Sequence, residues 1–348
     1  MSESTLEATR AAEGGERPDA DALERMYRLM VVTTLADERS VKEAKAGKLQ
    51  AAFYPVRGME AVCAAYGEAL RADDRIVSTY RNLGDALAKG ATLRSIMAEL
   101  YGRVDGMSKG KGGPMHLHDA SVGFMATTGI VGSGLPIAVG LGLAAQLDAS
   151  SEGAESRVVG VTFGDGATSI GTTHEALNLA ALWSLPVVFV CQNNQWGEHT
   201  PIAEYTASTE LADRARAYGM KAVKVDGFDA IATWRALRDA VEHARSGAGP
   251  VFVEAVTYRL TGHSGTADYS YVPREELDAA LARDPAPTFR RWLAEEGLVT
   301  NERLDELDAE AAEYVDDAFA YAEASPAPGP DELMADVFAD NTWVRGLA

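Results

Sequence analysis

Residues 157–163 read RVVGVTF and residues 186–192 read PVVFVCQ. Both are short β-branched runs with apolar residues at consecutive positions, the pattern of strands buried on both faces. Residues 172–182, between them, carry a helical pattern. Strand, helix and strand within about 36 residues make a βαβ unit, which implies a parallel sheet. The pattern then recurs, with a strand at 220–225, a helix at 230–244 and a strand at 251–258, VFVEAVTY. Residues from about 120 to 262 are therefore expected to form a doubly wound α/β core. Upstream, Leu23, Met26, Tyr27, Met30, Val31, Thr34 and Leu35 recur at spacings of three and four and predict an amphipathic helix over 23–45, stopped at Gly47. Further helices are expected at about 58–70 and 84–100. Beyond Pro273 the chain reads as helical and acidic, broken by Pro326, Pro328 and Pro330. The expected organisation is a mobile acidic leader over 1–22, an α/β domain with N-terminal helices over 23–272, and a C-terminal helical extension over 273–348.

The chain has 348 residues, of which 47% are apolar and 24% charged, the balance of a soluble globular protein. Acidic residues outnumber basic ones 52 to 32, a net charge of −20 that would repel a nucleic-acid backbone. Residues 295–323 hold 11 acidic groups and the single basic Arg303, read as a solvated helical face. Cys63 and Cys191 are too few and too far apart to staple the chain, and they fit a reducing, cytoplasmic setting. The leader, with six acidic groups and two arginines, resembles neither a secretory signal nor a transit peptide. Residues 120–146 carry no charge and are long enough to span a bilayer. Their six glycines and several Ser and Thr residues favour a buried soluble element instead, so no membrane association is expected. Within them, Ala138 and Gly142 are spaced for a helix packed closely on another helix.

Ligands of parallel sheets collect at the carboxyl ends of the strands. The 157–163 strand is followed by Gly164-Asp165-Gly166-Ala167, and the 186–192 strand by Asn193-Asn194-Gln195-Trp196-Gly197. Asp165 offers an anionic oxygen and Asn194 an amide oxygen at the same edge of the sheet. With a backbone carbonyl and phosphate oxygens they make a suitable Mg²⁺ set. A helix amino end after Asp165 would favour phosphate. Either turn alone is a weak signal; two of them, each directly after a buried strand and separated by one helix, are far more specific.

These two segments resemble the thiamine diphosphate motif. The resemblance extends over about residues 23–340. It includes, in order, Gly110-Lys111-Gly112-Gly113-Pro114-Met115-His116, Gly129-Ile130-Val131-Gly132, the 175–183 run EALNLAALW, Thr257-Tyr258-Arg259 and Gly262-His263-Ser264. Together they resemble the alpha subunit of the decarboxylating component of 2-oxo acid dehydrogenase complexes. By position, the resemblance implies that Asp165, Asn194 and the Trp196 carbonyl hold Mg²⁺. Gly166 and Ala167 would line the diphosphate, and Tyr80 and Arg81 would reach it. The Gly129 carbonyl would accept the cofactor's amino group, Val131 would wedge the cofactor into its bent form, and His263 would face the reaction centre.

The resemblance also implies an α/β thiamine diphosphate-binding fold, mostly parallel with helices on both faces, and oxidative decarboxylation of pyruvate or a related small 2-oxo acid. The acyl group would pass to a lipoyl-bearing acyltransferase. The glutamate that activates the cofactor belongs to a second domain for which this chain has no spare sheet. A beta subunit is therefore expected, in an assembly of two alpha and two beta chains. Phe53-Tyr54, Asn82-Leu83 and Ile170 depart from the pyruvate-type pattern and leave acetoin and branched-chain substrates open. A non-catalytic assembly subunit is disfavoured because Asp165, Asn194, Arg81 and His263 are all present. A nicotinamide site is disfavoured because Gly140-Leu141-Gly142 lacks the third glycine and a preceding strand. His116 and His118, two apart, are read as loop anchors and not as metal ligands.

Overall fold

The computed structural model describes residues 16–49, 51–153 and 155–337. The expected leader lies outside the described residues up to position 15, as does the C-terminal extension beyond 337. Six parallel strands form the sheet: β1 (Arg75–Val77), β2 (Phe124–Ala126), β3 (Val159–Gly164), β4 (Val187–Asn193), β7 (Lys221–Asp226) and β8 (Val251–Val256). Their order is β2-β1-β3-β4-β8-β7, and a two-residue antiparallel ribbon joins β5 (Trp196–Gly197) to β6 (Thr200–Pro201). The four longer strands fall where the β-branched runs predict them. The sheet is wider than the 120–262 core expected from sequence, because β1 lies upstream of it.

The apolar runs work because successive side chains of a strand point to opposite faces. Val188 and Val190 of β4 join one core, while Val187, Phe189 and Cys191 join the other. Helices α1 (Ala20–Lys45), α2 (Glu60–Ala69) and α9 (Ala230–Arg245) cover the first face, and α5 (Gly134–Glu152) and α6 (Gly171–Leu182) cover the second. Helix α1 is capped by Asp19, whose carboxylate accepts the Ala22 N–H at 2.8 Å. The long helix expected at 84–100 is two, α3 (Leu83–Ala88) and α4 (Leu93–Leu100). Gly90 between them adopts φ +100°, and the Thr92 hydroxyl caps the restart at Ser95. Gly142 of α5 packs on the sheet and not on another helix: a Cβ there would lie 2.5 Å from Val187 Cγ2.

Short helices α7 (Ile202–Tyr205) and α8 (Ala212–Arg216) follow the ribbon, and α10 (Arg274–Leu281), α11 (Pro285–Glu295) and α12 (Asn301–Ala324) complete the chain. Leu304, Leu307, Ala311, Val315 and Phe319 of α12 share one core with Leu23, Met26 and Met30 of α1. The acidic residues of α12 line its outer side, where Arg39, Arg94 and Arg303 pair with Asp316, Asp317 and Glu310. No helix among the described residues is long and apolar enough to cross a membrane.

Gly160, in the middle of β3, lies directly under the Tyr66 ring of α2. A Cβ added there would sit 1.2 Å from the Tyr66 hydroxyl oxygen. Tyr66 is fully buried among α2 and the sheet, so its ring has nowhere to go. Gly160→Ala is expected to destabilise the chain by about 3 kcal/mol or more, a fall of at least about 4 °C in melting temperature. A variant melting within a degree of the parent would contradict this packing.

Candidate functional site

The residues singled out from sequence sit in five loops, each leaving the carboxyl end of a strand of one parallel sheet. Tyr80 and Arg81 follow β1, Gly129 and Val131 follow β2, and Asp165 to Ala167 follow β3. Asn194 and Trp196 follow β4, and His263 follows β8. Parallel pairing places all these ends on one edge.

Several contacts tie the loops together. The Asn194 N–H donates to Oδ1 of Asp165 at 3.2 Å, and the Arg259 N–H donates to the Asn194 carbonyl at 3.2 Å. The Asn194 amide oxygen accepts the Trp196 N–H at 3.1 Å, which leaves it one lone pair. Gln195, at φ +71°, turns the chain into the ribbon. Asp165 to Ser169 form a 3₁₀ turn, and α6 begins only at Gly171. The amino end expected directly after Asp165 is therefore this tighter turn.

Gly132 packs against Ile170, whose Cδ1 lies 2.0 Å from where a Cβ would stand, so the 129–132 loop is fixed to the Asp165 turn. Behind that loop, Glu99 accepts the N–H groups of Ser108, Gly110, Gly112 and Gly113 at 2.8–2.9 Å. This nest holds the 109–116 run in place and brings Met115 under Gly129. His118 bonds Ser108 at 3.1 Å, a loop-anchoring role. Val131 is 47% exposed and Ile130 72%, so neither belongs to the core. Further exposed apolar side chains are Ile137 and Leu147 of α5 and Leu179, Leu182 and Trp183 at the end of α6.

The electrostatics of the site are unusual. Asp165 is buried, and among the described residues it makes no ion pair. Burial raises its pKa, opposed by hydrogen bonds from Tyr205 and Asn194. Arg81 and Arg259 are also buried and, among the described residues, make no ion pair, although the Asp165 carboxylate acts on both at longer range. Arg81 donates to the carbonyls of Pro55 and His263, and Arg259 to the Glu198 carbonyl and the Tyr271 hydroxyl. Nε of Arg259 has no hydrogen-bond partner among the described residues. Burial pushes the Arg81 guanidinium down to about 10, with the Arg259 charge adding to the effect. Buried charges without partners are costly. Two cationic groups and one carboxylate held apart in this way fit a polyanion bound together with a divalent cation.

His263 stands beside both arginines. Burial, then Arg81 and Arg259, lower its pKa to about 4. The Arg259 guanidinium approaches Nδ1 of His263 at 3.4 Å. A guanidinium only donates, so Nδ1 accepts and Nε2 carries the proton. The His263 ring packs against Tyr54 at 5.2 Å, Tyr80 at 6.1 Å and His199 at 6.2 Å between centroids. Of the positions that depart from the pyruvate-type pattern, Tyr54 therefore borders the site. Phe53 and Leu83 are buried in the core, at most 4% exposed. Sequence reasoning missed Arg259, Tyr205, His199 and Tyr271 as site residues. Arg259 had one available signal, a guanidinium three residues beyond the end of a buried strand.

A parallel sheet whose strand ends gather a buried carboxylate, an amide and two buried guanidiniums fits an enzyme that binds a diphosphate and a metal ion. Residues 27–331 match the family described as dehydrogenase E1 component, and the chain belongs to that family, whose members use thiamine diphosphate with a divalent metal. It is similar to the acetoin:2,6-dichlorophenolindophenol oxidoreductase alpha subunit of Bacillus subtilis, 38% identical over 315 residues, covering 90% of this chain and 92% of that one. The protein of the same name from Cupriavidus necator is 38% identical over 322 residues, 92% of this chain and 95% of its own length. The pyruvate dehydrogenase E1 component alpha subunit of Rhizobium meliloti is 34% identical over 312 residues, 89% of this chain and 88% of its own. The chain is thus an alpha subunit of a thiamine diphosphate-dependent oxidoreductase and works with a beta subunit.

Proposed function

We propose that this alpha subunit serves the oxidative decarboxylation of a small 2-oxo acid and the reductive acylation of a lipoyl group on a partner acyltransferase. The observation that carries the reading is the set of buried charges that make no direct ion pair, Asp165 on one side and Arg81 and Arg259 on the other. When bound, thiamine diphosphate supplies the electron sink for cleavage beside a ketone carbon. Asp165, the Asn194 amide oxygen and the Trp196 carbonyl would hold Mg²⁺. Gly166, Ala167 and the Tyr80-Arg81 pair would hold the diphosphate, with Arg81 presenting a planar fork to its oxygens. The Gly129 carbonyl would accept the cofactor's amino group, and Val131 would press on the cofactor from the exposed loop. His263, neutral at pH 7 in the free site, would offer Nε2–H to the reacting oxygen.

Ile130, Ile137, Leu147, Leu182 and Trp183 are exposed apolar side chains on the loop of Val131 and on α5 and α6. An exposed patch of this kind is a partner surface, and the beta subunit seated there would bring the activating glutamate to the cofactor. The two free, buried cysteines fit the cytoplasm.

Acetoin cleavage is the second reading. It is favoured by the 38% identity to two proteins named for acetoin. The test is the complex with its beta subunit, assayed on pyruvate, branched 2-oxo acids and acetoin with an artificial electron acceptor. Turnover of a 2-oxo acid supports the first reading, turnover of acetoin alone the second, and turnover of none overturns both.

A further inference from the structure

Tyr205 lies outside every motif that carries the family resemblance, yet its hydroxyl donates to Oδ2 of Asp165. The other oxygen, Oδ1, takes the Asn194 N–H. A carboxylate turns freely about its last bond; one donor on each oxygen fixes its plane and decides which lone pairs remain for a cation.

The local chain is built to deliver this hydroxyl. The ribbon of β5 and β6 leads into the single turn of α7, which ends at Tyr205. The Tyr205 ring lies over Gly197, where a Cβ would stand 3.1 Å from Cε1, so the ring occupies space that a larger residue would fill. Arg214 pins the next residue: it donates to the Thr206 hydroxyl and, at 2.6 Å, to the Thr168 carbonyl in the Asp165 turn. The tyrosine and the turn are thus held as one unit.

We propose that Tyr205 is a positioning residue for the divalent metal, orienting the Asp165 carboxylate without touching the ion. This rests on the reading of Asp165 as the anionic metal ligand. Outer partners of metal-binding carboxylates typically contribute 10–100-fold to affinity.

The test is Tyr205→Phe, which removes one oxygen and keeps the packed ring, in the complex with the beta subunit and with thiamine diphosphate present. Mn²⁺ is titrated in and the free ion counted by electron paramagnetic resonance, with no substrate. The metal Kd is expected to rise about 10–100-fold. The melting temperature of the metal-free complex is expected to stay within a degree or two. Asp165→Asn, run beside it, separates the two layers of the argument. A weakened Asp165→Asn with an unchanged Tyr205→Phe overturns the role of Tyr205. If neither variant changes the Kd, the reading of Asp165 as ligand falls and takes the role of Tyr205 with it.

Discussion

Asp165→Ala is expected to lose metal-dependent binding of thiamine diphosphate while the chain stays folded. Asp165 is buried just past the end of β3 and, among the described residues, makes no direct ion pair. Burial raises its pKa above the ordinary 3.8, so keeping it charged at neutral pH costs the empty fold stability. A divalent cation held there would reverse that cost, because the carboxylate would be its only anionic ligand from this chain. Removing one partner of a buried ion pair costs about 3–5 kcal/mol, roughly 10²- to 10⁴-fold in affinity. The metal-free variant loses two hydrogen bonds but also the buried charge, so its melting temperature is expected to stay close to the parent's. Calorimetric titration of thiamine diphosphate and Mg²⁺ into the assembled complex decides the matter. Cofactor affinity unchanged in the variant would contradict the metal assignment.

His263→Ala is expected to lose on the order of 10²-fold or more in turnover, the range of a positioned acid–base or hydrogen-bonding group. Cofactor affinity should fall much less than for Asp165→Ala, since Arg81 and the Asp165 turn remain. A large affinity loss with normal turnover at saturating cofactor would make His263 a diphosphate anchor instead. The structure adds a pH signature. Burial and the unneutralised Arg81 and Arg259 hold the free imidazole near pKa 4. A folded pKa below the unfolded value of 6.5 means that the unfolded chain binds the extra proton first. The stability linked to neutral His263 is therefore present above pH 6.5 and is lost as pH falls towards 4. A bound diphosphate would neutralise the arginines and bring the pKa back up. His263 followed by NMR, and assigned by its loss in the variant, should titrate near 4 without cofactor and higher with it. No upward shift on adding thiamine diphosphate and Mg²⁺ would contradict the placement of His263 against the diphosphate.

The strands that read clearly from sequence were those buried on both faces. β3, β4 and β8 are β-branched runs because both cores demand apolar side chains from alternate positions. The functional turns were legible for the same reason: Asp165 and Asn194 each come directly after such a run. β1 and β2 are three residues each, too short for any periodicity to mark them. The break at Gly90 was missed because helical spacing continues through it while the backbone does not. Arg259 carries a signal in its place just after β8, whereas Tyr205 and His199 meet the site through the fold alone, from the ribbon beyond β4 and the turn that follows it. The solvent-facing side of α5 was read as buried because its residues are apolar; in the single chain that face is bare, which is what a subunit missing its partner looks like.

The central claim is that this chain holds half of a thiamine diphosphate site, completed by the beta subunit. The most direct measurement compares turnover of the purified alpha chain, shown free of partner by mass spectrometry, with turnover after the beta chain is added. Both are run at saturating thiamine diphosphate and Mg²⁺ with an artificial electron acceptor. No turnover from the alpha chain alone, and activity on addition of the beta chain, is the predicted result. Full activity from the alpha chain by itself would contradict the account.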